Sequence, residues 1–159
     1  MHAIVDGRRK LALVLGLFLA VMLVLGLAPV RSEANAAERD GPRVQMLSLT
    51  NDDRADHDRD ALAFAAKLSR YAKEHSRAMA DAGYLFHSND EQLRGALAGT
   101  SWAMGGENVG VGSSIDGLEA AFMASKLHRE NILRPQFDHA AIGIVRVDGR
   151  LWMTVIFYG

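Results

Sequence analysis

Hydrophobic and polar residues follow different periods in different parts of the chain, and each period predicts a different element. Between residues 58 and 82 the apolar positions Phe64, Leu68, Tyr71, Ala72, His75 and Met79 recur at steps of three and four. That spacing predicts one long helix, with Lys67, Arg70, Lys73, Glu74 and Arg77 on its wet side and Gly83 ending it. A shorter helix is expected over residues 44–55, with Val44, Leu47, Leu49 and Asn51 near its inner side. A third is expected over residues 115–126, capped by Ser113 or Ser114, with Leu118, Ala121, Phe122 and Ser125 on one side. Residues 85–105 show no period and read as irregular.

The period changes to two near the C-terminus. Val109 and Val111 alternate with glycines across residues 106–112, which predicts a short strand. Residues 141–147 and 151–158 are β-rich runs separated by Asp148-Gly149, a dipeptide suited to the positive φ angles of a tight hairpin. In the last run both alternating sets are apolar, Leu151, Met153, Val155 and Phe157 against Trp152, Ile156 and Tyr158. A strand of that kind is covered on both faces. Three helices and a small, mainly antiparallel sheet buried on both sides imply an α/β protein built as a three-layer α-β-α sandwich.

The first 36 residues stand apart. Arg8, Arg9 and Lys10 precede residues 11–30, twenty positions without a charge, and Ala34-Asn35-Ala36 supplies a small-x-small cleavage pattern. Residues 1–36 therefore read as a signal peptide, or else as an N-terminal membrane anchor with its span at 11–30. Either way the basic flank stays inside and the remainder is translocated. Residues 37–43, with Gly41-Pro42, read as a linker, and residues 44–159 as the domain.

Composition narrows the chemistry. The chain has no cysteine, which excludes thiol nucleophiles, zinc–thiolate sites and a lipid on an N-terminal cysteine. From residue 37 onward the net charge is −3, with no basic stripe, so nucleic acid is not an expected partner. The acidic stretch Asp52, Asp53, Asp56, Asp58 and Asp60 lacks the glycine and terminal glutamate of a calcium loop and reads as a solvated helix end. No H-E-x-x-H, G-x-S-x-G or Walker-type loop is present. His57 and His139 sit in polar stretches, and His75 lies on an apolar helix face as a hydrogen-bonded core or edge residue. His87, Glu107 and His128 are separated by 20 and 21 residues, so only tertiary folding can unite them.

Several short motifs share one order. Asn51-x-x-Arg54, His75-Ser76 with Met79, Phe86-His87-Ser88, Gly106-Glu107-Asn108-Val109-Gly110, Ser125-x-x-His128-Arg129-x-Asn131-Ile132-Leu133 and Ile142-Gly143-Ile144 with Phe157-Tyr158-Gly159 resemble the CAP superfamily of SCP-like extracellular domains, bacterial type. The resemblance spans residues 47–159. It implies a CAP/SCP-type α-β-α sandwich with a cleft into which His87, Glu107 and His128 point. Two imidazoles and a carboxylate match an open divalent-metal site, zinc foremost. Ser125 stands where many animal members carry a second cleft glutamate, which weakens any scheme needing two carboxylates. Phe122 replaces a common tryptophan, and Lys126-Leu127 replaces a frequent Pro-Gly.

Other roles for these residues stay open beside that reading. Glu107 can cap backbone N–H groups, Asn108 can fix the turn before the strand, and the two histidines can bond each other or nearby backbone. Arg129 and Asn131 suit tying down a loop. The expected function is an exported module that binds a metal or another ligand outside the cell. Its partner is an unknown extracellular ligand, such as a lipid or cell-envelope component, and it meets a membrane only through an uncleaved N-terminal segment. Two alternatives are a metal-dependent hydrolase, or a Ser125–His128 nucleophile pair in its place, and a lipid or sterol carrier. The carrier needs a cavity beneath residues 85–102 and an apolar patch at Leu97, Trp102 and Met104.

Overall fold

The computed structural model describes residues 41–159. The expected leader, its alternative anchor span and residues 37–40 of the expected linker lie outside the described residues. Helix α1 (Pro42–Ala55) starts two residues before the expected boundary, with Gly41 extended at its cap and Pro42 in the first turn. Proline suits that position because its fixed φ is helical and its missing N–H would have no helical partner there.

The inward residues of α1 are Met46, Thr50 and Arg54; Val44, Leu47, Leu49 and Asn51 are only partly buried. The offset from the expected face follows from Arg54. Its guanidinium donates to the carbonyls of Asp60 at 2.7 Å, Ile132 at 2.7 Å, Arg134 at 3.1 Å and Phe137 at 3.0 Å. A buried cation is tolerable only with such complete pairing, and pairing it turns the helix.

The long helix expected from residue 58 is shorter. Strand β1 (Ala63–Phe64) comes first, and α2 (Ser69–Ala82) begins after it, ending at Gly83 with φ 79°. Asn51 explains the difference. Its side chain accepts from the Leu62 N–H at 2.8 Å and donates to the Leu62 carbonyl at 3.1 Å, drawing the segment out straight. The expected irregular stretch contains α3 (Asp90–Leu97), opened by a reciprocal box in which Asn89 and Gln92 satisfy each other's backbone N–H at 2.9 Å.

Strand β2 (Gly105–Gly112) follows, and then the expected third helix proves to be two. Helix α4 (Ile115–Ala124), capped by the Ser114 hydroxyl, stops at Ser125, whose backbone is extended (φ −87°, ψ 122°); α5 (Lys126–Ile132) restarts beyond it. On α4 the buried residues are Ile115, Leu118, Glu119 and Phe122, while Ala121 is exposed.

Strands β3 (His139–Val147) and β4 (Arg150–Tyr158) close the chain as the expected hairpin, with φ 48° at Asp148 and 76° at Gly149. Sheet order is β1-β3-β4-β2, with β1 parallel to β3 and the other pairs antiparallel. Central β4 is buried from Leu151 to Tyr158, as its doubly apolar pattern requires.

The two faces pack separately. Ala140, Ile142, Leu151, Met153, Val155 and Phe157 meet Met46, Leu118, Phe122, Ile132 and Phe137 from α1, α4, α5 and the turn before β3. Ala141 and Ile156 meet Leu68, Ala72 and Leu97, and Val109, Val145 and Trp152 meet Met79, so α2 and α3 form the other outer layer. Each large apolar side chain buried this way contributes about 1.5–3 kcal/mol. Helix α2 sits so close that a Cβ on Gly143 would fall 2.0 Å from the Ala72 carbonyl carbon. Only glycine permits that approach.

Candidate functional site

Strand β2 positions the site because its alternation sends consecutive residues to opposite faces. Glu107 points toward α2 and Asn108 toward α5. The glycines of Gly105–Gly112 are spacing residues rather than a phosphate loop. A Cβ on Gly106 would lie 2.8 Å from Asn131 Oδ1, and one on Gly110 would lie 2.9 Å from the Phe122 ring. Their absent side chains let α4 and α5 settle against the strand.

On the α5 side, Asn108 Nδ2 donates to the His128 carbonyl at 3.0 Å, and its Oδ1 accepts from Asn131 Nδ2 at 2.9 Å. Asn131 also donates to the Glu107 carbonyl at 3.2 Å, and Arg129 donates to the Met123 carbonyl at 2.7 Å. These residues fasten α5 to β2 and to the end of α4. The fastening sets where the His128 side chain stands, with its ring against Phe122 at a centroid distance of 5.0 Å.

On the α2 side, the Glu107 side chain is 4% exposed and fully bonded. Its Oε1 accepts from His87 Nδ1 and from the Ser88 N–H, both at 2.9 Å. Its Oε2 accepts from the Ser88 hydroxyl at 2.7 Å, which in turn accepts from Tyr71 Oη at 2.9 Å. Buried His75 donates through Nε2 to the Phe86 carbonyl at 2.9 Å and lies 3.9 Å from Glu107 Oε2. It stacks on Tyr71 and meets Phe86 edge-on. A carboxylate only accepts hydrogen bonds, so His87 carries its proton on Nδ1. Its Nε2 is then without a partner among the described residues, and the side chain is 57% exposed.

The electrostatics follow the geometry. Burial pushes the Glu107 carboxyl up, but hydrogen bonds from His87 and from the Ser88 side chain and backbone, with the field of His75, outweigh it and hold the group below its ordinary range. The hydrogen bond to Glu107 raises the His87 imidazole above its usual value, against the opposing effect of burial. Burial, and then the nearness of His87, lower His128.

The structure therefore brings His87 and Glu107 together, with His128 close enough to feel the charge of His87. Among the described residues, no group of three or more His, Cys, Asp or Glu side chains is arranged to hold a metal. Glu107 stands behind His87, capping backbone as well as binding the imidazole. Ser125 is the break between α4 and α5, and no hydrogen bond joins its hydroxyl to His128 among the described residues. Three further participants, Tyr71, His75 and Ser88, complete the network around Glu107. The sequence signals of their role were the step of four from Tyr71 to His75, the His75-Ser76 motif and the contiguity of His87 and Ser88.

The model of the cysteine-rich secretory protein family, CAP, matches residues 47–157. The chain belongs to the CAP family. It is 30% identical over 115 residues to the uncharacterized protein YkwD of Bacillus subtilis (strain 168), covering 68% of this chain and 44% of that protein. An extracellular protein containing an SCP domain from Bacillus anthracis str. Ames superposes with a TM-score of 0.62 at 28% identity, over 75% of this chain and 40% of that one. An outer surface protein of Borrelia burgdorferi shares the fold, with a TM-score of 0.62 at 18% identity, over 74% of this chain and 91% of that one. The chain thus spans less than half the length of the two Bacillus proteins it resembles. Membership in the CAP family fixes the α-β-α sandwich; the chemistry of the site rests on its own residues.

Proposed function

We propose that this CAP domain works outside the cell as a binding module, and that it binds at the corner formed by His87 and His128. The observation that carries this reading is the contact between buried Glu107 and exposed His87. A buried carboxylate that fixes the tautomer and orientation of an accessible imidazole is the usual support behind a metal-binding or ligand-binding histidine. The extracellular and outer-surface descriptions of the two superposed bacterial proteins support the location.

For a divalent metal such as Zn²⁺, both Glu107 oxygens are already engaged, so a three-ligand centre does not fit. Two imidazoles, His87 through Nε2 and His128, would hold it in an open site completed by water. A bound zinc ion would supply Lewis acidity. A hydrolase would also need a free general base, and Glu107 is committed to Ser88 and His87.

The carrier reading has one supporting observation. Tyr84 (64% exposed) and Leu85 (41%) precede His87, and Leu127 (74%) precedes His128, so apolar side chains border the corner. Of the expected patch, Met104 is 39% exposed, whereas Leu97 is fully buried and Trp102 is partly buried with Arg94 over its ring. The cavity beside it, lined by Leu93, Leu97, Trp102 and Gly105 among others, measures about 120 Å³. Ligand pockets are typically about 300–1,000 Å³, so this one is too small for a sterol, whereas a second cavity bordered by Leu68, Tyr71, Ala96 and Thr100 measures about 320 Å³.

Calorimetric titration of the protein with Zn²⁺ tests the proposal. One-site binding that disappears in a His87→Ala/His128→Ala variant is the expected result. A folded wild-type protein that takes up no zinc would remove the metal from the proposal. Vesicle or sterol binding that survives the double variant and fails in Tyr84→Ser/Leu127→Ser would shift the reading to a carrier.

A further inference from the structure

A second buried glutamate lies on the opposite face of the sheet, away from the histidine corner. Glu119 on α4 is 3% exposed, and neither of its oxygens has a hydrogen-bond partner among the described residues. Thr50 of the facing helix α1, 1% exposed, has an unpartnered hydroxyl as well. The polar groups acting on Glu119 are Thr50 and Asp53, one helical turn apart on α1. An ionised carboxylate left unpaired in such a seam costs several kcal/mol, whereas the neutral acid has a proton to donate and little to lose.

We propose that Glu119 is a proton-operated latch between α1 and α4. As the neutral acid it sits in the closed seam beside Thr50 and Asp53 without needing a counter-charge. On ionisation, two carboxylates face each other with no cation between them, and the helices part.

Among the described residues, the charged groups acting on Glu119 include no cation. Arg54 on α1 directs its guanidinium to four carbonyls, and Arg43 lies over the Phe64 ring. On α4 itself, Asp116 accepts from Gln45 at the surface. Strand β2 meets α4 through Gly110 and Gly112. On α5, exposed Lys126 is 3.9 Å from Glu130, and Arg129 is bonded to the Met123 carbonyl. Burial, with Asp53 adding and Thr50 opposing, pushes the Glu119 carboxyl up to about 7.

The sign follows. The folded state holds a proton that the unfolded state has released, so stability falls as pH rises from the ordinary glutamate value through about 7.

Thermal unfolding of the protein between pH 5 and 9 tests the latch, with Glu119→Gln beside the wild type. The expected wild-type melting temperature falls by about 5 °C or more between pH 5 and about 7 and levels off above that, and Glu119→Gln removes that fall. An unchanged pH slope in the variant would overturn the proposal. Should Glu119→Gln fail to fold, the carboxyl carbon of Glu119 can be followed by NMR in the wild type. A midpoint near neutrality, with faster amide exchange in α1 than in α2 above it, supports the latch; a midpoint in the ordinary carboxylate range sinks it.

Discussion

Glu107 and Glu119 are both almost fully buried, yet their surroundings drive them in opposite directions. Glu107 sits among donors on the α2 side and is held ionised; Glu119 sits between α1 and α4 without a hydrogen-bond partner among the described residues and is pushed toward its neutral form. Burial raises both; the donors around Glu107 outweigh it, whereas at Glu119 the neighbouring Asp53 adds to it. The difference also marks out two kinds of region. One is a finished polar cluster that fixes a side chain for use, and the other is a seam whose closure depends on a proton.

The strongest way to break the comparison is to remove the platform of one member. Gly143→Ala would push α2 off the sheet, taking His75 from beside Glu107 and Tyr71 from Ser88 while leaving the α1–α4 seam untouched. The expected loss is about 3 kcal/mol in a denaturant titration.

Glu107→Gln sharpens the comparison by exchanging the acceptor for an amide that cannot satisfy all of its donors. It should cost about 2 kcal/mol, and NMR titration should show the His87 imidazole returning toward its ordinary value. The wild-type carboxylate, held below its unfolded value, gives stability that is present above that value and lost as pH falls through the folded one. The variant should therefore lose part of the acid limb of its stability profile. Tyr71→Phe is the mildest change, removing the bond to Ser88 for about 0.5–1 kcal/mol; a larger shift of His87 than Glu107→Gln produces would contradict the order of partners given above.

The fold was legible where local pattern and tertiary contact agree. The Asp148-Gly149 turn, the doubly buried β4 and the termination of α2 at Gly83 follow from residue type alone. The start of α2 was not legible, because the apolar spacing of Phe64 and Leu68 mimics a helix that Asn51 prevents by pairing with Leu62. Helix α3 did leave a signal, the Asn89–Gln92 spacing of a capping box, but its short apolar content hid it. The break at Ser125 left none. At the site, the motif order pointed to His87, Glu107 and His128, but the roles depend on which atoms meet. Only the folded chain shows Glu107 spent on Ser88 and His87. Glu119 was invisible for the simplest reason: its charge marks it as a surface residue, and nothing local reveals that α1 covers it.

Arg54 carries a consequence for where this domain can exist. Its guanidinium ties α1 to carbonyls 78 to 83 residues away, the distance over which many small exported domains rely on a sulfur bridge. A clasp made of hydrogen bonds has no redox potential. With no cysteine in the sequence, the domain needs no disulfide-forming partner to close and keeps its closure in a reductant.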